Sequence, residues 1–272
     1  MAKINVIVLR TAGTNCDKET AFAFERAGAA AELVHINEIV RREKQLGLYQ
    51  ILAIPGGFTH GDDIASGKIL ANELKFKLKE DLRKFISDGK LIIGICNGFQ
   101  IMVKAGLLPN LSGDFKTIEA TLTLNDSDKF EDRWVCLKKP EIRNQKPGTR
   151  CIWTKGIDGI IELPIAHGEG KFIPRDKKTL KALKENGLIA LEYTDKNGLR
   201  KGYPYNPNGS VENIAGICDN SGRIFGLMPH PERHISPYQH PVWTKIKLKN
   251  RRKEGDGLVI FKNGVEFVKK HL

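Results

Sequence analysis

The chain has 272 residues, 40% of them hydrophobic, with 44 lysines and arginines against 32 acidic residues and a net charge of +12. That length and apolar share suffice for one sizeable core without a second unit, so a single domain over 1–272 is expected. No apolar run approaches membrane-spanning length, and the N-terminal segment is too brief for a signal region, so the expected location is the cytoplasm.

Taken in chain order, apolar runs predict strands near 4–9, 31–36, 49–54 and 91–95, with amphipathic helices near 17–28, 68–87 and 97–105. This alternation predicts an α/β fold of three layers: a mostly parallel sheet flanked by helices. Residues 118–138 and 151–174 instead show period-two patterning, as in Ile118-Glu119-Ala120-Thr121-Leu122-Thr123-Leu124, which predicts antiparallel strands added beside the main sheet. A last strand is expected near 224–228, and Leu258, Phe261, Val265 and Val268 at helical spacing predict a C-terminal helix over Gly257 to Lys270. Five cysteines at wide spacing fit neither a disulfide framework nor a zinc site, and no metal is expected; Cys16, Cys136, Cys151 and Cys218 read as packing residues.

Leu91-Ile92-Ile93-Gly94-Ile95-Cys96-Asn97-Gly98 is an apolar run ending at a cysteine with glycine two positions to either side. Such a strand-to-helix elbow holds a nucleophile in a strained turn, facing outward, with a helix N-terminus aimed at the sulfur. A buried core cysteine on a β-to-α turn is the alternative. A cysteine nucleophile needs a base, and the base an orienting group. Met228-Pro229-His230-Pro231-Glu232-Arg233 follows another apolar run, and extended backbone sets His230 and Glu232 on one side, where Glu232 can hold one imidazole nitrogen and free the other for Cys96. In Pro55-Gly56-Gly57-Phe58 the glycines leave backbone N–H groups open to a cleft, which makes the Gly57 and Asn97 amides candidates for an oxyanion hole. Gly61 to Lys68 does not match a phosphate-binding loop, because five residues separate its glycines and Ile69 replaces the hydroxyl residue.

These pieces, in the order Gly-Gly loop, cysteine elbow, His-Pro-Glu, resemble a class I (triad-type) glutamine amidotransferase domain, whose sheet is flavodoxin-like. With Gly13-Thr14-Asn15-Cys16-Asp17, Asn97-Gly98-Phe99-Gln100 and Ala166-His167-Gly168-Glu169-Gly170, the resemblance narrows to the glutaminase subunits of phosphoribosylformylglycinamidine synthases and spans nearly the whole chain. It implies that glutamine is hydrolysed through a cysteinyl thioester by Cys96, His230 and Glu232, and that Gly56, Gln100, His167 and Glu169 bind the substrate. Gln100 also fits a plain surface glutamine, and the His167–Glu169 loop a polar turn. The resemblance further implies no cofactor in this chain. ATP and magnesium belong to a separate synthetase subunit that converts formylglycinamide ribonucleotide in de novo purine biosynthesis, with a small third subunit completing a complex that wakes the glutaminase on docking. Two features depart from the family's pattern: His60 stands in place of an aromatic residue, and the basic, Pro- and Gly-containing stretch 139–160 does not align with it.

Basic clusters at Lys138 to Lys155, Lys171 to Lys184 and Lys245 to Lys253 lack the regular interleaving of aromatics that base stacking would require, so a solvated face or one docking an acidic partner is expected rather than nucleic acid. A γ-glutamyl hydrolase or cysteine peptidase on the same scaffold would share Cys96 and His230. A regulatory module without chemistry would have no need to keep all three of Cys96, His230 and Glu232.

Overall fold

The computed structural model describes residues 3–62, 65–140, 149–245 and 253–272. The first half of the chain runs β1 (Asn5–Arg10), α1 (Asp17–Arg26), β2 (Ala30–His35), α2 (Ile36–Val40), β3 (Ile51–Ile54), α3 (Lys68–Lys77), α4 (Lys79–Ser87), β4 (Leu91–Ile95) and α5 (Asn97–Ala105). The second adds β5 (Ala120–Thr123), β6 (Glu131–Lys138), β7 (Ile161–His167), β8 (Lys171–Pro174), α6 (Lys177–Glu185), β9 (Ile189–Thr194), β10 (Ile214–Cys218), β11 (Ile224–Leu227) and a C-terminal helix, Leu258–His271.

Nine strands form one sheet in the order β2-β1-β3-β4-β11-β10-β9-β6-β7. From β2 to β11 all neighbours are parallel, and the order 2-1-3-4 is that of flavodoxin-like sheets. From β11 to β7 every pairing is antiparallel. β3, β4 and β11 are buried along their whole lengths, as parallel strands covered on both faces must be. α1 packs with the C-terminal helix as one cover, where Phe24 meets Phe261 edge-on at 5.0 Å and Trp153 at 6.5 Å. α3 packs with α5 as the other, and Phe99 of α5 stacks on Phe172 of β8 at 6.1 Å, which seats the small β5–β8 ladder over that helix.

The predicted helix over 68–87 is two helices, because Leu78 leaves helical geometry at φ −115° and ψ 14°. Ile36, read as the end of a strand, opens α2, whose capping box is formed by His35 and Glu38. The period-two segments pair antiparallel as expected, but β6 and β7 extend the main sheet through β9 and β10 and only β5 and β8 stand apart. Sequence patterning missed β9 because the strand is buried on both faces while carrying Glu192 and Thr194, so it shows neither alternation nor an unbroken apolar run. Residues 141–148 of the basic stretch, and 246–252 of the last basic cluster, lie outside the described residues.

Candidate active site

Four chain segments leave the carboxyl ends of neighbouring parallel strands at one place, where ligands bind in open α/β sheets. They are the β1–α1 turn ending at Cys16, the Pro55-Gly56-Gly57 exit of β3, the Cys96 elbow of β4 and the Met228-to-Arg233 segment after β11. The elbow is strained as its sequence predicts: Cys96 has φ +51° and ψ −107°, and its N–H donates to the Leu227 carbonyl at 2.8 Å. Both flanking glycines are obligatory. A Cβ at Gly98 would lie 1.9 Å from the Ile54 carbonyl oxygen, and one at Gly94 would lie 2.3 Å from the Met102 sulfur. The thiol does not face outward as expected; Cys96 is 5% exposed, and its Sγ lies 3.7 Å from the Ala166 carbonyl oxygen of β7.

His230 is anchored by its N–H to the Pro164 carbonyl at 2.8 Å, and its Nδ1 lies 2.6 Å from Glu232 Oε1. Glu232 sits in a short helical turn begun by Pro231, and its side chain is fully buried. Burial disfavours a charged ring, yet the Glu232 carboxylate, with Cys96 and Cys16 beside it, raises the His230 pKa well above the ordinary histidine value. Nε2, the nitrogen left over, is buried without a hydrogen-bond partner among the described residues. Cys96 is close enough to raise the ring's pKa but out of bonding geometry with Nε2.

Gly56 lies at the centre of this cluster. A Cβ there would come within 2.8 Å of His230 Cε1, 3.2 Å of Cys16 Sγ and 3.4 Å of Cys96 Cβ. The next peptide turns away: Phe58 N–H donates to Gly13 O, Asn15 N–H to Gly56 O, and Gly57 takes φ +145°. This bridge leaves the Gly57 N–H without an acceptor among the described residues, as is the Asn97 N–H at the start of α5. Two free backbone donors therefore flank the sulfur's segment.

The other candidates are held by a polar network. Asn97 Oδ1 accepts from Thr59 Oγ1 at 2.7 Å, and its Nδ2 donates to Asp62 Oδ1 and to Gln100 Oε1. Gln100 Nε2 in turn donates to the Glu169 carbonyl at 2.5 Å, so both ends of that amide join protein segments. Glu169 extends its carboxylate to within 3.8 Å of Lys104 Nζ. His60, the odd residue of the loop, has its ring nitrogen 3.1 Å from Thr11 Oγ1.

His167, at the end of β7, has a defined tautomer. Asn125 Nδ2 donates to the carbonyls of Lys129 and His167, so its Oδ1 is the acceptor for Gly170 N–H and for His167 Nδ1–H. His167 Nε2 is then a bare acceptor, buried without a partner among the described residues. Burial, reinforced by the charge of His230, lowers the His167 pKa to about 3 and keeps the ring neutral.

Sequence reasoning missed one neighbour. Cys16, read as a packing residue, has its Sγ 4.0 Å from His230 Nδ1 and 3.1 Å from Arg233 Nη2. Its signal was present in Asn15-Cys16-Asp17, a turn that leaves a parallel strand at the same end of the sheet as the elbow.

A sulfur at a strained elbow, a carboxylate-held imidazole and free backbone N–H groups can perform acyl transfer. The chain matches the family model of the CobB/CobQ-like glutamine amidotransferase domain over residues 3–268. It is 48% identical over 270 residues to the phosphoribosylformylglycinamidine synthase subunit PurQ of Dehalococcoides mccartyi, covering 99% of both chains. It is 44% identical to the subunit of the same name from Methanococcus maripaludis, covering 97% of each. The solved structure of PurLQS from Thermotoga maritima superposes with a TM-score of 0.71 at 28% identity, covering 98% of this chain and 100% of that one. This chain therefore belongs to the PurQ family of glutamine amidotransferases.

Proposed function

We propose that the chain is the glutaminase subunit of a phosphoribosylformylglycinamidine synthase and that Cys96, His230 and Glu232 perform its chemistry, with residues 1–272 acting as one amidotransferase domain. The observation that carries the reading is the buried His230–Glu232 pair at 2.6 Å, its second ring nitrogen unpartnered, beside a cysteine at φ +51°. In the proposed reaction the Cys96 sulfur, its proton passed to His230, attacks the glutamine carboxamide carbon, while the free N–H groups of Gly57 and Asn97 hold the oxyanion. As the intermediate collapses the carbon–nitrogen bond breaks, the nitrogen takes the proton from His230, and ammonia leaves a glutamyl thioester. Water then adds to the thioester with its proton going to His230, and glutamate departs as the sulfur regains a proton. Glu232 fixes the ring's tautomer and balances its charge throughout.

Gly56 would form the floor beside the reacting sulfur and His167 and Glu169 the wall of the glutamine pocket. Gln100 would act on substrate only through the position of Glu169, because its amide is already engaged at both ends. Ammonia protonates in water and then loses its nucleophilicity, so the product is useful only if passed to a second site. The reading therefore includes a synthetase partner that supplies ATP and magnesium chemistry, and a small third subunit, in the cytoplasm. No helix among the described residues is long and apolar enough to cross a membrane, which fits that location. The PurLQS resemblance supports assembly. The closed site supports activation on docking, since Cys96 is 5% exposed and His230 2%. Glutamine-dependent amidination of formylglycinamide ribonucleotide by the chain mixed with its synthetase, absent with Cys96→Ala, is the test. Equal glutamine turnover by the isolated chain and the complex would refute activation by docking.

A further inference from the structure

Glu232 presents one oxygen to His230, and its other oxygen, Oε2, is buried without a hydrogen-bond partner among the described residues. An unmatched carboxylate oxygen in the interior is costly, and it would take any strong donor within reach. The strongest donor nearby is the guanidinium of the next residue, Arg233. It does not go there. Its Nη2 donates to Cys16 Sγ at 3.1 Å and its Nε to Glu19 Oε2 at 3.0 Å.

Cys16 is well fixed for this part. Its N–H donates to the Gly56 carbonyl, its own carbonyl accepts from Thr20 N–H and Oγ1, and its thiol donates to Asn15 Oδ1 at 3.1 Å. It is 1% exposed, and burial holds its pKa up, so the sulfur is a neutral thiol with lone pairs free for Arg233. A sulfur atom, an imidazole nitrogen and a carboxylate oxygen of Cys16, His230 and Glu232 all lie within 4.8 Å of one another.

We infer that Cys16 is a positioning residue of the glutaminase site: its thiol holds the Arg233 guanidinium on the outer side and so leaves the Glu232 carboxylate to His230 alone. The inference rests on the reading of His230 and Glu232 as the catalytic base and its orienting group. Were Arg233 to reach Glu232, the carboxylate would be neutralised by a permanent cation and His230 would lose what raises its proton affinity. The charged and titratable groups of this cluster are Glu232 and Arg233 on the ring's own segment, Cys16 from the β1–α1 turn, Glu19 of α1 against Arg233, Cys96 from the elbow and His167 from β7. Of these only Arg233 is a permanent cation.

The test uses the full chain in Cys16→Ala, Cys16→Ser, Cys16→Ala/Arg233→Met and Glu232→Gln forms. It follows the His230 ring pKa by nitrogen NMR and the pH profile of Cys96 labelling by the glutamine analogue diazo-oxonorleucine. Cys16→Ala is expected to lower the ring pKa by about one unit, which moves the alkaline limb of labelling to lower pH and cuts the rate there about tenfold. Cys16→Ser, whose hydroxyl still accepts from Arg233, is expected to keep the wild-type profile, and removing Arg233 on top of Cys16→Ala to restore it. A wild-type ring pKa and profile in Cys16→Ala, while Glu232→Gln collapses both, would overturn this inference alone. A lowered pKa that the loss of Arg233 does not restore would also overturn it, by reducing Cys16 to a packing residue. Unchanged behaviour in Glu232→Gln would remove the reading of the base itself.

Discussion

Replacing Gly56 by alanine separates catalytic geometry from stability. The position has no positive φ, so alanine suits its backbone, and restriction of the unfolded chain alone would favour the variant by roughly 0.4–1 kcal/mol. The new methyl, however, would lie 2.8 Å from His230 Cε1, 3.2 Å from Cys16 Sγ and 3.4 Å from Cys96 Cβ. Ordinary carbon–carbon contact lies near about 3.5 Å, so the ring or the loop must retreat by about 0.7 Å. His230 is held by Glu232 on one edge and by Pro164 through its backbone, so the shift falls on the distance between imidazole and sulfur. A displacement of this order at a reacting group lowers turnover by roughly 10- to 100-fold. Glutamine turnover of the complex, measured beside urea unfolding of the same preparation, reads both quantities. Activity within twofold of wild type would show that the imidazole, Cys16 and Cys96 do not converge at Gly56 during catalysis, and the reasoning would fail.

Glu232→Gln removes the charge that raises His230. The contribution of His230 to folding is complete below the unfolded value of about 6.5 and is lost as pH rises through the raised folded value, so stability measured by urea melts above pH of about 6.5 should change least in this variant. Its turnover should fall by about 100-fold or more, with the alkaline limb moved to lower pH. His167 has the opposite sign: folded near 3 and unfolded near about 6.5, it stabilises the fold above about pH 6.5 and loses that contribution on acidification, by about 2 kcal/mol at about pH 5. Urea melts of wild type and His167→Gln at the two pH values should differ by that amount, and equal acid losses would show that His167 is not a buried neutral ring. Gln100→Leu leaves the Asn97 amide and the Glu169 carbonyl without their partner. It should cost about 1–3 kcal/mol in the same melts and raise KM more than it lowers kcat; a changed kcat at constant KM and stability would mean that Gln100 touches the reacting atoms.

Most of the parallel half of the fold was legible because β3, β4 and β11 are short, apolar and followed by punctuation: Pro55-Gly56 after β3, Cys96 between two glycines after β4, Pro229 after β11; β2 runs into α2 with none, and its end was misplaced. The same punctuation disclosed the site, since the elbow, the glycine pair and the His-Pro-Glu segment all stand at carboxyl ends of strands that lie side by side. The rest was less legible for separate reasons. β9 and β10 are buried strands inside a long polar region, and Glu192 within β9 hides its periodicity. Cys16 was legible only through the turn that leaves β1, because a thiol has no polar signature in sequence and its neighbours His230 and Arg233 lie more than two hundred residues away. The orphaned Nε2 atoms of His167 and His230 are also invisible at that level, as they follow from which nitrogen Asn125 and Glu232 already occupy.

The most direct measurement is mass spectrometry of the chain quenched in acid during turnover with glutamine and its synthetase. The expected result is a glutamyl adduct on the peptide that contains Cys96, absent in Cys96→Ala and longer-lived in His230→Asn supplied with a preformed thioester. Steady ammonia release from glutamine by Cys96→Ala, or an adduct on any other cysteine, would contradict the assignment of Cys96 as the nucleophile.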